Sequence, residues 1–127
     1  YLSESLKINN TLKQIDLSNN KIGYEGIKYL SESLRINNIL SKINLNSYHD
    51  IGGEGIKYLS DSLKINNSLK TISLCNNNIG DSGIKYLSES LKINTSLTEI
   101  SLYSNNIGDE GMKYLWVKDE KDCKSLN

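Results

Sequence analysis

The sequence predicts an α/β solenoid, in which short strands and helices alternate and stack as repeated units. The first observation is a repeat of 28 residues, with one extra residue in its second copy. The second is a change of apolar period within each copy, from strand-like alternation to the spacing of an amphipathic helix. One strand–helix unit cannot bury its own apolar face, whereas stacked units share a continuous core. The units run over 11–38, 39–67, 68–95 and 96–123, after a partial unit at 1–10.

Each copy divides into a strand part and a helix part. In the first copy Ile15 and Leu17 alternate with polar residues, which predicts a short strand. Ile27, Leu30 and Leu34 then follow at the spacing of one helix face.

Polar residues indicate where the helices begin and end. Asp81 and Asp109 stand where a helix N-cap is expected. Asn37, Asn66 and Asn94 follow the helical segments, and asparagine tolerates the left-handed conformation that ends many helices.

Two glycines recur at fixed offsets in every copy. The first predicts a sharp turn into the helix, and the second predicts that the helix start packs close to the strand layer. The first set is Gly23, Gly52, Gly80 and Gly108, and the second is Gly26, Gly55, Gly83 and Gly111.

The motif LxxLxLxxNxI followed by a helix resembles the leucine-rich repeat, and the length of 28 residues with the IGxxG junction resembles its ribonuclease-inhibitor type. The resemblance covers residues 1–118. It implies a right-handed solenoid, a horseshoe segment with a concave parallel sheet and convex helices. The family's asparagine falls on Asn20, Asn77 and Asn105, and the resemblance implies that its amide bonds the backbone after each strand. The second copy has Tyr48 at this position, so we expect the row to break and the loop to bulge there.

In such a fold the residues between the strand leucines point away from the core. They differ between the copies while the apolar framework does not, so we expect them to bind a partner. The expected partner-binding residues are Gln14, Lys42, Thr71 and Glu99 in the first column, Asp16, Asn44, Ser73 and Ser101 in the second, and Ser18, Asn46, Cys75 and Tyr103 in the third.

Composition argues against several classes of function. Fifteen basic residues balance fifteen acidic ones, which disfavours general nucleic-acid and polybasic membrane binding. No glycine motif typical of phosphate binding occurs. Cys75 and Cys123 lack zinc-site spacing and lie almost two repeats apart, so we expect no metal, cofactor, small-molecule substrate or disulfide. Two free thiols suit a reducing compartment, which favours the cytoplasm.

Cys75 and His49 could form a nucleophile–base pair if the loop brought them together. An exposed thiol without catalytic function is the favoured interpretation, and we expect no enzyme activity.

On the helices, the i,i+4 pairs predict weak ion pairs, and the recurring tyrosines predict a packed helix flank whose hydroxyls reach water. The pairs are Lys28/Glu32, Lys57/Asp61 and Lys85/Glu89, and the tyrosines are Tyr29, Tyr58, Tyr86 and Tyr114.

The last unit departs from the pattern after Leu115. Polar residues replace the equivalents of Leu91 and Ile93, which we expect to face the core, and this is typical of a terminal, capping repeat. Trp116 and Val117 could fold over the exposed edge, or the segment could join a further domain. The chain begins inside a helix without Met, so it resembles a fragment in which a targeting signal cannot be assessed.

The favoured function is a non-enzymatic scaffold that binds a protein through its concave face. Four strands offer only a few hundred Å² there, less than the roughly 800 Å² per partner of a standard interface, so weak binding or use of the loops is expected. One alternative is an enzyme regulator, since Ran GTPase-activating proteins share this repeat type. Another is a purely structural spacer. Similar arrays occur in immune receptors and in microbial effectors delivered into a host cytosol, and the composition mildly favours a microbe or protist.

Overall fold

The computed structural model describes residues 1–48 and 51–115, in which helices and short strands alternate along the chain. The elements are α1 (Leu2–Ile8), β1 (Gln14–Asp16), α2 (Gly23–Leu34), β2 (Lys42–Asn44), α3 (Gly52–Leu63), β3 (Thr71–Ser73), α4 (Gly80–Ile93), β4 (Glu99–Ser101) and α5 (Asp109–Leu115). Each copy of the repeat therefore contributes one strand and the helix that follows it.

The strands of the described residues form one parallel sheet in the order β1-β2-β3-β4. Its register places equivalent repeat positions side by side, as in the row Gln14, Lys42, Thr71 and Glu99. The backbone pairing continues past the strand ends, where the N–H of Leu45 donates to the carbonyl of Ser73 at 2.8 Å.

The core lies between the sheet and the helices. Strand residues such as Ile43 and Ile72 and helix residues such as Leu59 and Leu87 are fully buried in one cluster, which runs through the copies from Leu6 to Leu102. Since each unit completes its burial against its neighbours, the predicted α/β solenoid is confirmed.

The helices begin differently from the sequence-based prediction. In α4 the N-cap residue is Ile79, which makes no capping hydrogen bond through its side chain. Asp81 lies inside the first turn, and its Oδ1 accepts the N–H of Gly108 in the next repeat at 2.7 Å. Asp109 is the first residue of α5. The predicted N-caps are therefore wrong, because the Asp81 carboxylate bonds the neighbouring unit.

The recurring glycines have two distinct structural reasons. Gly23, Gly52 and Gly80 have φ of +61°, +66° and +67°, so the predicted sharp turn is confirmed at these positions. A Cβ placed on Gly83 would lie 3.1 Å from the Cα of Gly53, in the preceding helix. At Gly83 the missing side chain therefore allows neighbouring helix starts to approach each other, and its nearest contacts include no atom of the strand layer, contrary to the predicted packing on that layer.

The ends of the helices also differ from prediction. Asn94 is extended, with φ −67° and ψ 126°, and neither Asn37 nor Asn66 has a positive φ. Left-handed residues occur instead in the loops after the strands. Apart from glycine they are Asn19, Asn76, Asn78, Ser104 and Asn106.

The predicted i,i+4 ion pairs do not form. Asp61 pairs instead with Lys64, at 3.3 Å. Lys57 lies over the ring of Tyr86, with its Nζ 5.6 Å from the ring centroid, and Lys28 lies over Tyr58 at the same distance. Tyr58 and Tyr86 of the tyrosine flank therefore pack against lysines of the preceding repeat.

One of the two core positions expected near the end of the array is wrong. Ile93, expected in the core, is exposed, whereas Leu91 packs against the core as a partly buried residue. The reason is that Ile93 ends α4, where the chain turns away from the helix layer. Trp116 and Val117 lie outside the described residues.

Candidate interaction surface on the sheet

The surface of the sheet that faces away from the helices is called the concave face here. All twelve predicted partner-binding side chains are at least partly exposed. The more exposed ones are Gln14, Asp16, Lys42, Glu99 and Tyr103, and the partly buried ones are Ser18, Asn44, Asn46, Thr71, Ser73, Cys75 and Ser101. The register brings the first two columns together within the strands.

The third column lies just beyond the strands, where pairing between repeats persists. The N–H of Ser47 donates to the carbonyl of Cys75 at 3.1 Å, and the N–H of Asn76 donates to that of Tyr103 at 3.0 Å. These bonds hold Cys75 and Tyr103 beside their equivalents in neighbouring copies.

A chain of hydrogen bonds links the polar side chains of the first two copies. The Asn44 amide donates to Oδ2 of Asp16 at 3.2 Å, and Oδ1 of Asn44 accepts the N–H of Asn46 at 3.0 Å. Oδ1 of Asn46 then accepts the N–H of Cys75 at 2.7 Å. This part of the concave face is thus held in position before any partner arrives.

The carboxylate of Asp16 begins this chain of bonds. Hydrogen bonding from Ser18 holds the pKa of Asp16 below its ordinary value, assisted by Asn44 and by the charge of Lys42. The carboxylate therefore stays ionised near neutral pH and presents a negative charge at this end of the concave face.

The second half of the concave face has a different character. The hydroxyls of Thr71, Ser73 and Ser101 make no hydrogen bond within the described part of the chain, so they are free to bind an external group. Tyr103 adds an aromatic ring that is 65% exposed. One half of the concave face is preorganised, and the other offers unpaired hydroxyls beside an aromatic side chain.

The asparagines after the strands link successive turns. The Asn105 amide donates to the carbonyls of Leu74 and Leu102 at 2.8 and 2.9 Å, and its Oδ1 accepts the N–H of Asn77 at 2.8 Å. The Asn77 amide donates to the carbonyl of Leu45 at 2.9 Å. These bonds support the turns that carry the third column.

This row is interrupted at the second copy. Oδ1 of Asn77 is buried and has no hydrogen-bond partner among residues 1–48 and 51–115. Among the residues that the structure describes, the Asn20 amide bonds only within its own turn, to the carbonyls of Leu17 and Ser18 at 3.1 and 3.2 Å. Tyr48, which replaces the asparagine of the second copy, is exposed.

A second row of asparagines lies at the opposite end of each strand, and sequence reasoning missed it. The Asn66 amide donates to the carbonyls of Leu34 and Asn37 at 2.8 and 3.1 Å, while its Oδ1 accepts the N–H groups of Ser68 and Leu69 at 3.1 and 2.9 Å. Equivalent sets of bonds occur at Asn37 and Asn94. The signal was available, because an asparagine recurs three residues before the first leucine of every strand segment.

The described residues around Cys75 do not form a recognisable catalytic site. Its thiol is free and partly buried, while His49 and Cys123 lie outside the described residues. Within the ranges 1–48 and 51–115, no three residues of the types His, Cys, Asp and Glu gather into a metal site. In the same ranges no helix is both long enough and apolar enough to cross a bilayer.

One strand and one helix per repeat, with a shared core and an exposed polar sheet, define the class of α/β repeat solenoids. A family model described as Leucine Rich repeat matches residues 9–31, 66–88 and 94–115, which together make up more than half of the chain. The chain belongs to the leucine-rich repeat family.

Solved structures give the same fold. The chain matches a structure named Leiomodin-1 Actin-Binding Site 2 with a TM-score of 0.81 and 22% identity, over 89% of this chain and 68% of that one. It also matches the tropomodulin C-terminal domain of Caenorhabditis elegans with a TM-score of 0.74 and 19% identity, over 88% and 70% of the two chains. A search of curated proteins found no match. At these identities the likeness concerns the fold alone.

Proposed function

We propose that this protein is a non-enzymatic scaffold that binds a protein partner through the concave face. One observation carries the proposal. The side chains that differ most between otherwise near-identical copies stand in register on the outer surface of the sheet, and none of them is buried. The fold does not use them for its core, so their chemistry is available for recognition.

The two halves of the concave face suit different contributions to binding. Asp16, Asn44 and Asn46 are already held by hydrogen bonds, so little side-chain entropy is lost when a partner contacts them. Tyr103 provides the kind of aromatic anchor that often dominates an interface. Binding should therefore depend on both ends of the sheet.

The small area of the sheet sets the expected affinity. Four strands about 4.8 Å apart offer less surface than a standard interface uses on each side. Tyr24 and Tyr48, which are exposed beyond the carboxyl ends of the strands, could extend the contact. We expect weak binding by the sheet alone and stronger binding where loop residues take part.

Actin is one concrete partner to test, because the leiomodin-1 structure bears the name of an actin-binding site. At 22% sequence identity the similarity supports only a shared fold, so actin is one candidate partner among other proteins.

The test compares two double variants of matched chemistry. Asp16→Ala with Tyr103→Ala removes a carboxylate and a phenol from the concave face, whereas Glu32→Ala with Tyr29→Ala removes the same groups from an exposed part of α2. Purified actin is tested by co-sedimentation, and proteins captured by the unmodified chain are quantified by mass spectrometry. We expect the concave variant to lose at least 90% of specific capture and the α2 variant to keep it.

Two results would count against this proposal. Equal capture by all three proteins would show that the concave face takes no part. Loss with the α2 variant alone would move the interaction to the helical side. Circular dichroism of each variant checks that the fold is intact.

A further inference from the structure

A row of exposed isoleucines runs along the edge where the helices end and the strands begin. The four residues are Ile8, Ile36, Ile65 and Ile93, and their exposed fractions lie between 51% and 84%. Each occupies the same position of its repeat. Single exposed apolar residues are ordinary on a protein surface, but an aligned row of them is typical of a contact surface. We call this feature the isoleucine edge.

Cationic residues accompany the isoleucine edge on both sides in sequence. At the helix ends each isoleucine directly follows one of Lys7, Arg35, Lys64 and Lys92. At the strand starts stand the exposed residues Lys13 and Lys70, whose equivalents in the other copies are Ser41 and Thr98. Lys42 lies one position later, in the first column of the concave face. Cations at helix ends also interact favourably with the helix dipole, but this accounts for neither the isoleucines nor the strand-start lysines.

The opposite edge, where strands end and helices begin, carries the opposite charge. Its acidic residues are Glu25, Glu54, Asp81, Asp109 and Glu110, and its described cation is Lys21. Between the two edges the signs alternate along each helix, where Lys28, Lys57 and Lys85 are followed by Glu32, Asp61 and Glu89, so the cationic character belongs to the isoleucine edge itself. A partner that recognises the isoleucine edge should therefore be acidic as well as apolar.

We propose that the isoleucine edge binds an acidic amphipathic helix of a protein partner, laid along the axis of the array. Neighbouring packed helices lie about 8–10 Å apart, which sets the approximate spacing between successive isoleucines. Seven residues of a partner helix rise by about 10.5 Å. A helix with one leucine every seven residues can thus place one leucine near each isoleucine, while its glutamates meet the cations on both sides.

A helix suits this edge better than an extended strand. The edge offers side chains rather than an unpaired strand backbone, and a helix brings side chains while satisfying its own backbone groups. A flat anionic membrane suits it less well, because an acidic row lies one helical turn away from the isoleucines. Glu4 and Asp61 belong to this row and pair with Lys7 and Lys64 at 2.7 and 3.3 Å. A narrow partner avoids that row, whereas a flat surface meets it.

The probe is a synthetic, fluorescently labelled helix of about four heptads, with leucine at every seventh position, glutamate on both flanks and alanine elsewhere. Two comparison peptides keep its length. One spaces the leucines five residues apart, and the other replaces glutamate by lysine. Binding is measured by fluorescence anisotropy, and vesicles of phosphatidylserine and phosphatidylcholine are tested by co-sedimentation.

Two protein variants distinguish the loss of apolar contact with the peptide from a loss of the fold. Ile36→Ser, Ile65→Ser and Ile93→Ser are combined in one variant, and Ile36→Val, Ile65→Val and Ile93→Val in its control. Because these side chains are exposed, neither variant should melt at a markedly lower temperature. We expect the serine variant to bind the heptad peptide at least tenfold more weakly and the valine variant to bind within about threefold of the unmodified chain.

Binding should weaken as salt rises, because exposed charges take part. The lysine peptide should not bind, and the five-residue spacing should bind more weakly than the heptad spacing. The Asp16→Ala, Tyr103→Ala variant should bind the probe normally, which separates this surface from the concave face. Failure of the unmodified chain to bind the heptad peptide, equal binding by the serine variant, or binding of the vesicles instead would overturn the proposal.

Discussion

At the scale of the residue, asparagine stabilises this protein in two places. One row supports the turns after the strands, and the other joins each helix end to the next strand. The amide is suited to both positions because it donates and accepts at once, so one side chain can satisfy several backbone groups. Asn66, which is 6% exposed, makes four such bonds. Its neighbour Asn67 is exposed.

Replacing Asn66 should therefore be far more damaging than replacing Asn67. Asn66→Ala leaves two carbonyls and two N–H groups without their side-chain partner, and we expect it to lower the free energy of unfolding by about 2–4 kcal/mol. Asn67→Ala should change it by less than about 0.5 kcal/mol. Chemical denaturation measures both. Similar losses for the two variants would show that the buried amide contributes no more than a surface one.

At the scale of the element, the distance between helix starts depends on glycine. The backbones of α3 and α4 approach at Gly53 and Gly83, where a side chain would intrude. Gly26 is the equivalent position in α2, where an added Cβ would meet only the side chain of Ile22 within 4 Å. An added Cβ at either position would lie 2.5 Å from the Cγ2 of the isoleucine four residues earlier, but only at Gly83 would it also meet a neighbouring helix backbone.

This difference allows a matched pair of substitutions. Alanine in place of glycine gains about 1 kcal/mol of helix propensity at either position. At Gly83 the contact with the Gly53 backbone should outweigh that gain and lower the free energy of unfolding by about 1–3 kcal/mol. Gly26→Ala should cost less than Gly83→Ala, because the added Cβ displaces only the Ile22 side chain and meets no neighbouring backbone. Thermal and chemical unfolding report the two values, and a stable Gly83→Ala protein would contradict the close helix approach.

At the scale of the whole molecule, stability depends on a residue's place in the stack. Ile72 lies in β3, with β2 and β4 on either side, and is fully buried. Ile15 is its equivalent in β1, pairs with β2 alone and is partly buried. An array in which each unit contacts only its neighbours should be most stable where a unit has two of them.

The same truncation should therefore have different costs along the array. Ile72→Ala should lower the free energy of unfolding of the 127-residue chain by about 3–5 kcal/mol, because it leaves a cavity closed on all sides. Ile15→Ala should lower it by about 1–2 kcal/mol, since its site already meets solvent. Urea denaturation of both variants tests this, and equal losses would argue against a gradient of stability along the stack.

Much of this architecture could be predicted because the same strand and helix pattern recurs in every copy of the repeat. The apolar residues at Ile27, Leu30 and Leu34 indicated the buried face of a helix, and the alternation at Ile15 and Leu17 indicated a strand. Stacking follows from these patterns, since no single unit can bury its own apolar residues. The columns of the concave face follow from the same alternation, although their function in binding stays a prediction.

The features that the sequence did not predict depend on the position of each residue in the stacked array. Asp81 has the residue type of an N-cap, yet its carboxylate bonds Gly108 in the next repeat. Ile93 has the residue type of a core position, yet it lies at a helix end and is exposed. A local pattern records which residues prefer burial or a helix end, but not which partner a neighbouring unit offers.

The sequence alone determined the period, the order of strand and helix, the shared core and the family of this protein, because these follow from the spacing of apolar residues along the chain. The tertiary structure decided the two asparagine rows, the close helix starts, the hydrogen-bonded half of the concave face and the isoleucine edge. These features arise between residues that lie about one repeat apart in the chain and become neighbours only when the units stack.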